Sequence, residues 1–314
     1  MHDGAVQLPD PLCDELLERV RAGAQRPGMT AGAWDGVEYL RADEPMRKTA
    51  ASYEPSVCIV AQGKKIAWLD EGQAVPYEAL HFLVVGVPMP IDAEILEASP
   101  ERPFFAVRLK LDVPLLTDVL STLGNTVSHA PELESPQVAL AASPLEERLL
   151  EAVVRILRAE RDPLERRVLL PSLQRELLFR LALGPQSALL RQIVRRDTQG
   201  NAVVRAIRHV ETHYTETLSV GQLAEVAHMG ESTFHRAFRD VTGTTPLRYL
   251  KRFRLHRARD FMLNEDLTAA QAADRVGYAS PSQFSREFKA LFGESPRRSI
   301  ELLRSGVFSQ PPDA

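Results

Sequence analysis

The sequence predicts an α+β chain. A small β-barrel or sandwich comes first, followed by an all-α region of two tandem helix-turn-helix units joined by a linker helix. Three observations carry this. Between residues 34 and 112, short apolar runs alternate with turn residues at strand spacing. After residue 112 the apolar period lengthens to that of helices. Finally, the segment from residue 219 to residue 296 repeats itself at an offset of 50.

The 314 residues suffice for about two domains. With 44% hydrophobic and 25% charged residues the composition is that of a globular protein, neither collagen-like nor wholly disordered. No run approaches the roughly 18 consecutive apolar residues of a membrane span. The first twenty residues carry early acids and no apolar segment, so no secretory signal is expected. Two cysteines, Cys13 and Cys58, make neither a disulfide framework nor a zinc site alone. A reducing cytoplasm is the expected location. The net charge of −4 is unevenly spread. Residues 201–304 hold 16 Lys and Arg against 12 Asp and Glu, while residues 1–200 hold 22 against 29. A basic rear behind an acidic front fits a polyanionic partner for the rear.

Taken in order, Leu12, Leu16, Leu17 and Val20 place a helix over residues 11–25. Residues 57–61 and 66–69 read as two strands about a turn at 62–65, with further strands at 81–87 and 104–111. In the last of these, Phe105, Val107, Leu109 and Leu111 alternate with Ala106, Arg108 and Lys110, giving one polar face. Pro76, Pro88, Pro90, Pro100 and Pro103 punctuate the gaps and discourage helix. Residues 113–123 form a helix with Pro114 in its first turn. Residues 144–160 carry Leu145, Leu149, Val153, Ile156 and Leu157 on one face, and 163–183 are similar with a break near Pro171. These two segments suit an antiparallel pair whose stripes face the barrel or a second chain. The domains are then 1–190, a polar linker at 191–200, the helical domain at 201–304 and a tail at 305–314.

The repeat is specific. Ser232 meets Ser282, Phe234 meets Phe284, and Arg236 meets Arg286. Phe238 meets Phe288, Gly243 meets Gly293, and Pro246 meets Pro296. Upstream the offset is 49, so one residue has been added in the second turn. Each unit, about 219–243 and 268–293, has the same logic. Ser219 and Thr268 cap a short first helix, and Gly230 or the stretch 277–280 makes the turn. Ser232 or Ser282 stands at the start of the second helix as cap or base reader, and Gly243 ends the first unit's second helix in a left-handed conformation. The four phenylalanines bury and the polar residues face out. Such a second helix fits the major groove, about 12 Å wide. The linker helix over 246–263, with Leu250, Phe253, Ala258 and Phe261 on one stripe, spans roughly 27 Å. That suits two reading heads one DNA turn apart, about 34 Å.

Residues 201–304, and above all GYASPSQFSREFKALFGESPRR, resemble the DNA-binding domain of the AraC/XylS family of bacterial transcription regulators. The front resembles the cupin-like N-terminal domain of one branch of that family, through YEPSVCIVAQGKK (53–65), HFLVVGVPMP (81–90) and EASPERPFFAVRLKLD (97–112). The resemblance implies a sequence-specific regulator, often an activator, that binds double-stranded DNA, contacts RNA polymerase and responds to a small molecule in or near the barrel. It places base reading on Glu231, Ser232, His235 and Arg236, then Pro281, Ser282, Ser285 and Arg286. Arginine pairs bidentately with guanine, whereas Pro281 offers no side-chain hydrogen bond, so the second unit should read fewer bases. Arg239, Lys251, Arg252 and Lys289 are the phosphate candidates. A homodimer through residues 144–183 is expected, and no membrane partner.

Two other functions compete. A cupin enzyme would need a metal set with paired histidines, but His81 stands alone and no His-x-His occurs. No metal, cofactor or enzymatic activity is therefore expected, and no nucleophile–base pair or phosphate loop is visible. A ligand-independent DNA-binding protein is the other. His81 and Cys58 are the candidate ligand contacts. Cys58, within SVCIV, reads as a buried thiol with no basic neighbour in sequence to activate it.

Overall fold

The structure is a computed structural model that describes residues 10–69, 72–124, 140–194 and 199–304. Its front half holds strands β1 (Gly28–Ala31), β2 (Val37–Ala42), β3 (Met46–Tyr53), β4 (Ser56–Gln62), β5 (Lys64–Trp68), β6 (Ala74–Glu78), β7 (His81–Val85), β8 (Met89–Glu97), β9 (Phe104–Lys110) and β10 (Leu140–Pro144). They form two antiparallel sheets, ordered β1-β2-β9-β4-β7-β10 and β3-β8-β5-β6. The short edge strands β1 and β10 have no strong apolar alternation and escaped the sequence reading. The expected pair of strands about residues 62–65 is not a hairpin. Strand β4 pairs with β7 and β9, whereas β5 pairs with β6 and β8. The chain crosses between sheets at Gly63, whose φ is +90°. A Cβ there would lie 2.6 Å from the Glu97 carbonyl oxygen, so only glycine makes this corner.

Helix α1 (Asp10–Gly23) lies over the six-stranded sheet with α3 (Glu147–Ala159) beside it. Val37, Tyr39, Ile59, Phe105, Val107 and Leu109 are buried on that face. Tyr39 donates to the Glu160 carboxylate at the end of α3, which also accepts from the Ala33 backbone N–H at 2.8 Å. Burial pushes the Tyr39 hydroxyl up, and the adjoining carboxylate adds to the shift. Helix α2 (Val113–Leu123) begins where expected, with Asp112 accepting from the Leu115 N–H at 2.9 Å. The break near Pro171 falls at Leu169, between α4 (Pro163–Val168) and α5 (Leu170–Leu183), because Pro171 suits only the first turn of a new helix. The α3 and α5 stripes bury against each other, α1 and α2.

Of the linker expected at 191–200, residues 195–198 lie outside the described residues and the rest is helical. Helix α6 (Ser187–Val194) continues through 191–194, and α7 (Gln199–His213) already begins at 199. The apolar Leu189 and Leu190 bury α6 in the main core, which overrides the polar composition of the segment. The expected tail lies outside the described residues. The remaining helices are α8 (Val220–Val226), α9 (Glu231–Thr242), α10 (Pro246–Asn264), α11 (Ala269–Arg275), α12 (Pro281–Phe292) and α13 (Pro296–Arg304).

Helix α10 sits on the outer face of the four-stranded sheet. Tyr249, Arg252 and Arg259 share one helix face and all reach the β domain. The Tyr249 hydroxyl donates to the Pro88 carbonyl at 2.9 Å, Arg252 pairs with Asp92, and Arg259 donates to the Ala50 carbonyl at 3.3 Å. Ala50 joins the core cluster of the second helix-turn-helix unit, with Phe284, Phe288 and Phe292.

The same interface brings Glu211 of α7 near Glu54. Burial first, and then the Glu54 charge, push the Glu211 carboxyl from 4.5 up to about 7. The folded chain therefore holds this proton more tightly than the unfolded chain. Its contribution is full below pH 4.5 and is lost as pH rises through about 7. Allowing for solvent screening, about 1–2 kcal/mol is at stake. Glu211→Gln is expected to flatten the fall in thermal midpoint between pH 5 and pH 7.5, as calorimetry across that range will show.

Candidate nucleic-acid interface

Each helix-turn-helix unit is built by local chemistry. The Ser219 hydroxyl accepts from the Gln222 N–H at 3.2 Å while the Gln222 side chain accepts from the Ser219 N–H at 2.8 Å. Thr268 and Gln271 repeat this at 3.3 and 2.9 Å. These reciprocal capping boxes start α8 and α11. The turns that follow are equivalent. Met229 N–H bonds the Ala224 carbonyl and Tyr278 N–H bonds the Ala273 carbonyl, both at 2.9 Å. The left-handed residue of the first turn is His228, φ 55°, and not Gly230, whose φ is −66°. Its counterpart 49 residues on is Gly277, φ 81°. The added residue follows, so the second turn is one longer.

Helix α9 begins with Gly230 as its cap residue, and α12 with Ser280, whose hydroxyl accepts from the Gln283 N–H at 3.3 Å. Ser232 and Ser282 are therefore not caps. They stand exposed in the first helical turn of each unit, with Pro281 at the first position of α12. Glu231 also sits exposed in the first turn of α9, where its charge favours the helix N-terminus. His235, Arg236, Arg239, Arg286 and Lys289 are exposed, and Ser285 is half-buried. Phe234, Phe238, Phe284 and Phe288 are fully buried, with the two ring centres of each unit 5.5 Å apart. Gly243 and Gly293 end the two helices at φ 70° and 81°.

The linker-helix cations differ from expectation. Arg252 is only 5% exposed and is turned to Asp92 in the β domain, which removes it from the phosphate candidates in this arrangement. Sequence alone shows a cation on a helix and not the carboxylate 160 residues away that takes it. Lys251, half-exposed, pairs with Glu287 of α12 at 3.0 Å. Burial would raise the Glu287 carboxyl, but hydrogen bonds from Tyr278, Lys251 and Gln283 hold it below its ordinary value. Sequence reasoning also missed an exposed pair, Arg248 and Arg298, in the first turns of α10 and α13. The 50-residue offset already aligned them behind Pro246 and Pro296.

Of the candidate ligand contacts, His81 is half-buried, with Nδ1 3.2 Å from the Ala79 carbonyl. Cys58 is a buried free thiol. It does have basic neighbours, contrary to expectation. Arg108 is its register partner on β9 and Lys65 lies nearby, yet burial dominates and pushes the thiol up.

Two helix pairs of one geometry, joined by a helix seated on a two-sheet β domain, define a tandem helix-turn-helix protein with an N-terminal β module. Residues 33–189, half of the chain, match the model of the AraC-type transcriptional regulator N-terminus, and residues 223–300 match a helix-turn-helix domain. The chain belongs to the AraC family of transcriptional regulators. It is 42% identical over 86 residues to the RCS-specific transcriptional activator RclR of Escherichia coli, covering 27% of this chain and 30% of RclR. It is 27% identical over 195 residues to the regulator ExsA of Pseudomonas aeruginosa, covering 61% of this chain and 68% of ExsA. The match to the activator RhaS of Enterobacter is 34% over 125 residues, 39% of this chain and 44% of RhaS. The chain thus spans less than half the length of RclR and RhaS. In fold it is similar to ToxT of Vibrio cholerae, with a TM-score of 0.59 and 11% identity over 84% of this chain and 98% of ToxT. ToxT with an unsaturated fatty acid bound matches at 0.55 and 10% identity, over 87% of this chain and 98% of ToxT.

Proposed function

We propose that this protein is a sequence-specific DNA-binding regulator of transcription, an activator that responds to a small molecule held by its N-terminal β domain. One observation carries the DNA-binding reading: the same exposed serine and arginine recur on two equivalently built helices, as Ser232 with Arg236 and Ser282 with Arg286. In this reading Glu231, Ser232, His235 and Arg236 read bases in one major-groove segment, and Ser282, Ser285 and Arg286 read the next. Arg239, Lys289, Arg248 and Arg298 hold phosphates, and Lys251 joins them when it leaves Glu287. The activators RclR and RhaS support the direction of regulation. RNA polymerase is the proposed protein partner, the cytoplasm the place of action, and no catalysis is assigned. A homodimer is proposed through residues 144–183, where Leu164 and Val168 of α4 and Leu169 after it are exposed beside the buried α3–α5 pair.

Selection of bound sequences from a random DNA library by the full-length chain tests this. An enriched asymmetric motif with two blocks about one helical turn apart is expected. No enrichment at any salt concentration, with or without cell extract, overturns the reading. Arg236→Ala is expected to weaken binding to the selected motif by about 1–3 kcal/mol and to relax one base position, measured by titration against single-base variants.

A further inference from the structure

The sequence has no His-x-His for a barrel metal site, but helix α7 carries two histidines one turn apart, His209 and His213. A spacing of four residues puts both imidazoles on one helix face. Their rings stack, with centres 4.1 Å apart and planes 20° from parallel, and both residues are half-buried.

The second ring is held from behind. Nδ1 of His213 lies 2.7 Å from the Thr212 hydroxyl oxygen and 3.1 Å from the His209 carbonyl oxygen. The Thr212 hydroxyl directs its own proton to the Arg208 and His209 carbonyls, at 3.0 and 3.2 Å. Carbonyls only accept, so Nδ1 of His213 is the donor and the lone pair of the neutral ring stands at Nε2. Among the described residues no hydrogen bond takes Nε2 of His213 or either ring nitrogen of His209. A ring anchored through one N–H, with its other nitrogen open, is the form in which imidazole ligates a metal ion. Two metal–nitrogen bonds of about 2.0–2.1 Å each bridge rings at this separation. No set of three His, Cys, Asp or Glu side chains could hold an ion among the described residues, so water completes the coordination. Such a pair suits ions that favour nitrogen, Cu²⁺, Ni²⁺ and Zn²⁺, over Mg²⁺ and Ca²⁺, which take oxygen.

The pair also stands at a joint. Helix α7 ends at His213, and the three residues that follow carry the second helix-turn-helix unit. Arg254 of α10 donates to the Tyr214 and Glu216 carbonyls at 2.5 and 2.7 Å, and the Gly277 turn lies against the Thr215 backbone. An ion across His209 and His213 ties down the last turn of α7, on which that unit rests.

We propose that His209 and His213 form a site for one divalent transition-metal ion, bound through Nε2 of His213 and a ring nitrogen of His209, and that its occupancy stiffens the joint between the two units. The site stands independently of the regulator reading.

The test uses the full chain without a purification tag, stripped of metal by a chelator, and scanning calorimetry with NiCl₂, ZnCl₂ or MgCl₂ in excess. Ni²⁺ or Zn²⁺ is expected to raise the midpoint by about 3 °C or more, and Mg²⁺ is not. His213→Ala is expected to abolish the shift. His209→Gln removes a ring that makes no hydrogen bond among the described residues, so the metal-free midpoint should hold while ion binding weakens about tenfold or more. Amide exchange over residues 209–216 should slow when the ion is added to the unaltered chain. No shift with Ni²⁺ or Zn²⁺, an equal shift with Mg²⁺, a full shift in His209→Gln, or a shift without slower exchange over 209–216 overturns the proposal.

Discussion

Gly277→Ala is expected to destabilise the C-terminal helices by about 3–5 kcal/mol, whereas His228→Gly, at the equivalent place in the first unit, is expected to stabilise them by up to about 1 kcal/mol. Both residues make the left-handed turn between the helices of their unit. At Gly277 a Cβ would lie 2.2 Å from the Thr215 carbonyl oxygen and 3.0 Å from its Cα, so a stretch of backbone must move. The left-handed conformation adds about 1–2 kcal/mol to that clash. His228 is exposed and bears only the conformational term. Urea unfolding followed by far-ultraviolet circular dichroism reads the change. Tryptophan fluorescence would not serve, because Trp34 and Trp68 both lie in the front half. Equal effects at the two positions would mean that the turns differ from those described.

Asp92→Ala is expected to undock α10 from the β domain. The substitution leaves the Arg252 guanidinium buried without its carboxylate, and breaking such a pair costs several kcal/mol. Asp92 keeps some exposure and a second cation, Lys48, at 3.7 Å, so about 2–4 kcal/mol is the expected loss. Amide exchange should accelerate along α10 and β8 while α3 and α5 keep their protection. Replacing both partners, as in Asp92→Ala with Arg252→Met, should recover most of the loss, because no uncompensated charge remains. Unchanged exchange in Asp92→Ala would show that the pair does not hold the interface.

Whatever local chemistry decides was legible in the sequence. Ser219 and Thr268 cap because their partners stand three residues away. Phe234 and Phe284 bury because helical spacing puts them beside Phe238 and Phe288. Gly243 ends a helix by its own φ. The errors share a different cause. Ser232 reads in sequence as cap or base reader alike, because helix starts shift by a residue or two without changing the pattern. In the second unit Pro281 marks the first helical position, and the offset of 50 then puts the first unit's start at Glu231. Arg252 looked like a phosphate contact because its acceptor is set by the docking of two distant segments. The polar face of β9 was visible, but not that it turns inward, where Arg108 meets Glu38 and Cys58. Period two gives the alternation and leaves its direction to the sheet opposite.

Strand β8 joins the two halves through a single thickness of backbone. Ile91, Ala93 and Ile95 are buried toward the lumen, and between them Asp92 holds Arg252 while Glu94 accepts from the Trp68 indole at 2.7 Å. No layer of side chains stands between the barrel interior and the seat of α10, so a displacement of that strand is a displacement of the seat. The seated helix also sets the spacing of the two recognition helices. A groove recurs every 10 to 10.5 base pairs, and each base pair of rise comes with about a tenth of a full rotation. A small shift in that spacing is therefore a change of angular phase on the duplex, and the second head meets a different edge of the DNA.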